Sequence, residues 1–388
     1  MATSRAWTFA SRGNPRSVLS LTSRPAPTLP PSSLYLSKTK SIPDREGGKE
    51  WLLIKVAYAA LNPAGHLYIT MIPAMARTKT AVPELDLSGT VADVWTPGSE
   101  PSAGEQSISS SVVKRPRFKK GDRVAAFIPV SIGWPTGTGA LAEHVVLPAR
   151  YVVPVPAHLS LRDASCAFTA GCTALMTIRS ANLKKGDRVL VNGASGGIGT
   201  FAVQAIRDIV GDEGYVVAVC SGRNAEMVKG LRVDEVVDYT ASPQVSNALK
   251  EKFGREGKMF DAVVDCIGVQ DVYANCASYL VPEGVYAAVG IKPLSQTYGG
   301  FMKAVWTMQM NALWPSSPWL GGTGRRWIGT SMMNPERELM EEVMGMLADG
   351  RVKVVVDREL GFEEAVDGYD VVGSGRARGK IVVKVDGE

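Results

Sequence analysis

The residues most able to do chemistry lie at 189–204, VLVNGASGGIGTFAVQ. Glycines 193, 196 and 199 follow a continuous apolar run and open a stretch with helical spacing, the context that separates a dinucleotide fingerprint from a chance glycine cluster. A tight turn there lets the backbone approach a pyrophosphate, and the free N–H groups of a helix start supply anion donors with a favourable dipole. The next apolar run, VVAV (216–219), leads into CSGRN. Where an NAD site places an acid about 20 residues on to hold both ribose hydroxyls, this chain has Ser221 and Arg223. A hydroxyl and a cation suit a 2′-phosphate, so NADPH is favoured over NADH; the alternative is that Arg223 merely starts a solvated helix. The stretch at 189–204 is the most specific local signal in the chain. The three histidines (His66, His144, His158) are scattered, and the five cysteines (Cys166, Cys172, Cys220, Cys266, Cys276) form no CxxC or CxxxC pair, which reads as buried free thiols in a reducing compartment.

The elements that must position this turn follow from the apolar pattern. From Ala164 onward, buried-strand runs at 189–193, 216–219, 235–239, 261–267 and 285–290 alternate with helical spacing such as 198–210, predicting a parallel sheet covered by helices, a doubly wound α/β domain. Before it, short β-branched runs at 51–60, 88–94, 122–128 and 143–146 predict a mainly β region reaching to about residue 155. Residues 96–117 are half Gly, Ser or Pro and lose all periodicity, predicting a flexible insertion between two strands. The tail reads as a helix at 335–350, a strand at 352–357, an amphipathic helix from Phe362 and a last strand at 380–385.

With 388 residues the chain has room for two or three domains. Its net charge of +5 comes from the N-terminus alone: residues 1–43 hold six basic side chains and no acid, leaving 37 basic against 38 acidic residues in the rest. A neutral body excludes a nucleic-acid footprint, which needs Lys and Arg clustered on one domain face. No apolar run approaches the roughly 18–20 residues that span a bilayer, so no stable membrane insertion is expected.

Nine stretches run in order over nearly the whole chain: VAYAALNPAG (56–65), PELDLSGTV (83–91), FKKGDRV (118–124), GALAEHV (139–145), AGCTALMTI (170–178), KKGDRVLVNGASGGIG (184–199), DEVVDYT (234–240), DCIG (265–268) and RARGKIVVKV (376–385). By them the chain resembles the zinc-free quinone-oxidoreductase branch of the medium-chain dehydrogenase/reductases, particularly the reticulon-4-interacting-protein-like and fungal enoyl reductase-like members. The resemblance implies a GroES-like catalytic domain from residues 1–155 and 336–388 around a Rossmann NADPH-binding domain at 156–335. Zinc-dependent relatives carry GHE where this chain has Leu87-Ser88-Gly89, which implies a metal-free site.

The implied reaction is NADPH-dependent reduction of a small hydrophobic quinone or of the activated C=C of an α,β-unsaturated carbonyl. A trans-acting enoyl reductase of a biosynthetic pathway and a catalytically silent NADPH-binding regulatory protein are the rivals. By the resemblance, Asn62 and Thr173 lie beside the nicotinamide and ribose. Ser195, Gly196, Gly197, Ile198, Ser221, Arg223 and Tyr239 bind the phosphates and adenosine, while Cys266, Gly290 and Lys380 contact the nicotinamide half or close the cleft. Tyr68, just after the ALNP turn, is a candidate proton donor or carbonyl-orienting group, with plain packing as the alternative. Many relatives show a Gly before the acid of PxLxGxDxSG; this chain has the shortened PELDLSG, which makes Asp86 a site or loop-anchoring residue.

Residues 299–330, rich in Trp and Met, suit a hydrophobic pocket wall, a membrane-facing surface or core packing. A homodimer through the Rossmann sheet is compatible with 285–290 as its edge. RAWTFASRGNPRSVLSLTS (5–23) resembles the family's opening hairpin, with AWTF and SVLSL as its strands, so the basic start is expected to remain in a cytoplasmic rather than a mitochondrial protein.

Overall fold

β-Branched runs with alternating burial and runs buried on both faces give this chain two sheets. A computed structural model describes residues 2–29, 50–96, 117–242, 244–291, 297–313, 319 and 322–386. The expected insertion at 96–117 lies, apart from its two end residues, outside the described residues.

The first sheet takes strands from both ends of the chain. Its strands are β3 (Trp51–Leu61), β4 (Asp86–Trp95), β5 (Arg123–Phe127), β6 (His144–Pro148), β7 (Val152–Pro154), β14 (Val356–Gly361) and β15 (Lys380–Lys384). Their order is β14-β15-β3-β4-β5-β7, with β6 also on β3. β3 is long enough to serve two partners on one edge, pairing β6 along Trp51–Lys55 and β15 along Tyr58–Leu61, while β4 covers its other edge. Leu52, Ile54, Leu87, Val124 and Ile381 fill the core beneath it.

A small antiparallel pair, β1 (Thr3–Thr8) and β2 (Ser20–Pro25), docks on this lobe. Trp7 Nε1 donates to the Phe362 carbonyl at 2.7 Å, and Arg5 pairs with Glu143 and Glu363. The hairpin differs from expectation within SVLSL. Ser17 and Val18 end a helical turn, Pro15–Val18, capped by the Asn14 side chain with Pro at its first position, and the strand starts only at Ser20.

The second sheet is wholly parallel: β8 (Arg188–Asn192), β9 (Tyr215–Cys220), β10 (Glu235–Asp238), β11 (Phe260–Asp265), β12 (Leu280–Ala288) and β13 (Arg326–Gly329), in the order β10-β9-β8-β11-β12-β13. Val189 and Val191 face one core and Leu190 the other, and β9 and β11 alternate in the same way, so both faces are buried as the apolar runs require. Helices Ala167–Ala181, Gly197–Val210 and Arg337–Ala348 cover the first face, the last through Leu339, Met340 and Val343. The strand order reverses between β8 and β11, the switch point at whose carboxyl ends ligands bind in such folds.

Two expectations are corrected here. Residues 285–290 are not a sheet edge, because β13 pairs along β12 from Val285↔Arg326. The VKVVVD run does not start a strand at 352: Val352 is buried in the helix-covered core, and β14 begins at Val356, where pairing with β15 starts. In the Trp/Met-rich segment, helix Tyr298–Leu313 packs Met308 into the second core while Met302, Trp306 and Leu313 stay exposed. No described helix is long and apolar enough to cross a membrane.

Candidate active site

The glycine turn sits at the carboxyl end of β8. Gly193 adopts φ +75°, open to glycine at little cost, and the N–H groups of Gly193 and Ala194 both donate to Val219 O at 3.1 Å. A Cβ on Gly199 would lie 2.2 Å from Gly193 O, so the helix start is packed directly onto the turn. Gly196 caps helix Gly197–Val210 without any side-chain bond, and residues 195–198 are only half-buried. Among the described residues no side chain caps that helix start; the Gly196↔Gly379 bridge turns the Gly197 N–H toward Gly379 O and leaves the next N–H groups of the first turn to an anion. Gly379 N donates to Ser195 O at 2.8 Å and Asn224 Nδ2 to Ser195 Oγ at 3.0 Å, which fixes the turn against the segment entering β15.

Beside it opens a cleft of about 600 Å³ whose lining includes Arg223, Asn224, Arg358, Arg376 and Arg378. Arg223 Nη2 donates to Arg376 O at 2.9 Å. Four guanidinium groups in one cleft outnumber its two carboxylates, Asp357 and Asp370, and suit a polyanion. Ser221 is buried at its rim. Asp238, at the end of the neighbouring strand, accepts from Thr240 N and Oγ1 and packs against Gly222, so the acid nearest this position is already bonded. Tyr239 follows it, half-exposed, with its N–H on Cys220 O.

The turn meets a buried polar array brought from the other sheet. Lys380, the first residue of β15, packs its stem near Gly197 and places Nζ 2.5 Å from Asn62 Oδ1 and 3.5 Å from Asp86 Oδ2. Asp86 opens β4 and accepts from Thr169 N at 2.9 Å and Asn62 Nδ2 at 3.2 Å, tying the sheet to helix Ala167–Ala181. One turn along that helix, the Thr173 hydroxyl donates to Thr169 O. Asp86 is fully buried; burial raises its carboxyl above the usual range, and the Lys380 ammonium counters this.

Glu84, two residues earlier and equally hidden, accepts from Tyr369 OH at 2.8 Å, Asn62 N at 3.1 Å and Asn62 Nδ2 at 3.2 Å. Burial pushes its pKa up to about 7 despite these donors. Glu84 and Tyr369 escape the sequence reading; the readable signal is a non-glycine at the glycine position of PxLxGxDxSG.

The loops after β11 and β12 complete the rim. Asp265 is fully buried and accepts from Asn192 Nδ2, the N–H groups of Ile267, Gly268 and Val269, and Tyr286 OH, which explains the DCIG run and holds Cys266 at the strand end. Gly290, with φ +127°, lies against Gly268, where a Cβ would come within 2.1 Å of the Gly290 carbonyl oxygen. Burial raises the Cys266 thiol, so it stays protonated.

Tyr68 does not join this group. Helix Pro63–Met71 turns its ring into the core, stacked on Trp134 at 5.4 Å and edge-on to Phe9 at 5.2 Å. Its hydroxyl has no hydrogen-bond partner among the described residues, and burial pushes its pKa up to about 12. For zinc the donor set does not fit: among the described residues no group of three His, Cys, Asp or Glu could hold a metal ion. His144 Nδ1 instead bonds Ser4 Oγ, and His158 Nε2 bonds Ala348 O.

Residues 231–383 match the zinc-binding dehydrogenase family and residues 48–157 the alcohol dehydrogenase GroES-like domain. The trans-enoyl reductase poxH of Penicillium oxalicum is 30% identical, over 100% of this chain and 99% of its own. The chain belongs to the medium-chain dehydrogenase/reductase superfamily. The solved quinone oxidoreductase from Coxiella burnetii, at 21% identity and a TM-score of 0.69, covers 99% of this dehydrogenase/reductase and 100% of its own chain. The mycobacterial Rv1454c complexed with NADPH, at 19% identity and a TM-score of 0.70, covers 98% and 100%. Both share the fold of this medium-chain dehydrogenase/reductase, a GroES-like domain joined to a Rossmann-like one, and the chain is an oxidoreductase of that superfamily.

Proposed function

We propose that this chain is an NADPH-dependent, zinc-independent oxidoreductase that reduces a small hydrophobic quinone or the activated C=C of an α,β-unsaturated carbonyl. The observation that carries the reading is the meeting of the glycine turn, an arginine-lined cleft and the Lys380–Asn62–Asp86 array at one switch point. The open helix start at Gly196–Ile198 fits a pyrophosphate, and Ser221 with Arg223 fits a 2′-phosphate. When bound, NADPH supplies the hydride that the conjugated carbon accepts. Lys380 places its ammonium behind the glycine turn, Asp86 balances its charge, and Asn62 fixes its direction. Tyr239, Cys266 and Gly290 at the strand ends and Thr173 on helix Ala167–Ala181 are assigned to lining the cofactor. The GroES-like catalytic part is taken as 1–155 with 336–388, and the cofactor part as 156–335.

The full-length similarity to a trans-enoyl reductase favours an enoyl thioester of a biosynthetic pathway as the second substrate class. The opening strands pair with each other and dock on Phe362 and Glu143, which supports their retention in a cytoplasmic protein. A homodimer built on the parallel sheet would use β13, its outer strand. The test is NADPH oxidation with a panel of quinones, enones and enoyl thioesters. Turnover of one class names the substrate, whereas tight NADPH binding without any turnover would overturn the enzymatic reading in favour of a regulatory protein.

A further inference from the structure

Glu84 adopts φ +72°, a left-handed backbone that disfavours a non-glycine residue, and does so with its side chain wholly buried. The carboxyl occupies space that a particular neighbour leaves open: a Cβ on Gly65 would lie 2.0 Å from Glu84 Oε1 and 2.3 Å from its Cδ. From that seat Oε1 takes the Tyr369 hydroxyl, and Oε2 takes both the backbone and side-chain N–H of Asn62. Among the described residues, the acceptors around the Asn62 amide nitrogen are Glu84, Asp86 and the Ala60 carbonyl, and the one donor near its oxygen is Lys380 Nζ. A flipped amide would set N–H groups against an ammonium, so the carboxyls on one side dictate where the oxygen points.

We propose that Glu84 is a positioning residue acting through Asn62 on Lys380: it fixes the Asn62 amide with its oxygen toward the ammonium, and its proton decides whether the buried array behind the glycine turn is neutral or anionic. The inference rests in part on the NADPH reading above. The groups that face it are Asp86 on its own segment, Asn62 at the end of β3, Lys380 on β15 and Tyr369 on helix Ala365–Ser374. His66, on the helix of Gly65, lies beyond, its ring 6.4 Å from that of Tyr369, and Cys166 is coupled to Lys380 and Asp86.

Lys380 can balance one carboxylate. With Glu84 protonated the array is neutral; with Glu84 ionised it carries one excess negative charge beside a turn built for a polyanion. Burial keeps the proton on Glu84 up to about pH 7, so NADPH affinity falls as the pH rises through neutrality. A unit charge at about 10 Å in a partly shielded interior changes affinity on the order of tenfold.

The test compares wild type with Glu84→Gln, whose amide oxygen can still accept from Asn62 while its NH2 donates to the Tyr369 hydroxyl, but which cannot ionise. NADPH dissociation constants are measured by fluorescence from pH 6 to 8, and apoprotein melting over pH 5 to 8. The cofactor's own phosphate titrates alike in both proteins and cancels in the comparison. The expected result is an NADPH dissociation constant rising on the order of tenfold more in wild type than in the variant, with a wild-type melting temperature that falls from pH 5 to about 7 and levels above it, a fall absent in Glu84→Gln. Parallel curves in both assays overturn the proposal. If wild type binds no NADPH at any pH, the cofactor reading fails, and the apoprotein melts still decide the titration of Glu84. A second pair guards against a misfolded variant: Glu84→Gly relieves the backbone and removes the carboxyl, and Glu84→Gly with Gly65→Asp returns one from the helix side. The pH dependence should vanish in the first and return in the second; a single variant that keeps the wild-type profile excludes Glu84.

Discussion

Alanine at two glycines of one turn separates its packing from its role in cofactor binding. At Gly199 the added Cβ would sit 2.2 Å from Gly193 O and 2.7 Å from Ala194 Cα. Both are backbone atoms, and the turn cannot retreat because the N–H groups of Gly193 and Ala194 are bound to Val219 O. Overpacking of this kind costs about 1–3 kcal/mol, and backbone contacts pinned on both sides put Gly199→Ala at the upper end. In a chain of 388 residues the melting temperature should fall by roughly 3–4 °C. At Gly196 the geometry differs: φ is −83°, and the added Cβ would meet only Gly193 O at 3.5 Å, an ordinary contact. Gly196→Ala should therefore melt within about 2 °C of wild type. Its methyl group nevertheless stands where a pyrophosphate must approach the free N–H groups, and the NADPH dissociation constant should rise on the order of tenfold or more. Melting without cofactor and NADPH titration on the same preparations read the two effects separately. A Gly196→Ala protein that binds NADPH as wild type does would refute the turn as the pyrophosphate cradle, and a Gly199→Ala protein with unchanged melting would refute the packing argument.

Arg223→Ala should weaken NADPH on the order of tenfold, with Arg358, Arg376 and Arg378 still in the cleft, and leave NADH nearly unchanged. Wild-type protein that binds NADH as tightly as NADPH would count against the 2′-phosphate site. Tyr68→Phe should keep NADPH oxidation within about twofold and stabilise the fold by about 1 kcal/mol, because it deletes a buried hydroxyl without a partner among the described residues. Loss of turnover in a normally folded Tyr68→Phe protein would return the phenol to the chemistry.

The cofactor turn is legible in the sequence because all its physics is local: strand, tight turn and helix start fall within residues 189–204, and the flanking strands are apolar on both faces. Elements decided by partners are harder to read. The VKVVVD run has the β-branched composition of a strand, yet its first valine is claimed by the core under helix Arg337–Ala348, and pairing with β15 sets the true start. β13 is four residues with an arginine first, too short and too polar to announce itself, so its neighbour β12 resembles an edge. The Pro15–Val18 turn is a different case, since Asn14-Pro15 is a readable cap and first-position signal that outweighs the β-branched look of SVLSL.

The polar array is the least legible part, since Asn62 and Lys380 meet from 318 residues apart and no periodicity relates them. Family resemblance supplies those two positions without saying what orients them. The orientation comes from a pair that cancels in one dimension and fits in three: a glycine at 65, where a helix could have carried a side chain, and a glutamate at 84, where the backbone turns left-handed. Each residue alone looks like a departure from its pattern. Together they deliver one buried carboxyl to one amide, and a substitution at either position has to be judged by what it does to that carboxyl.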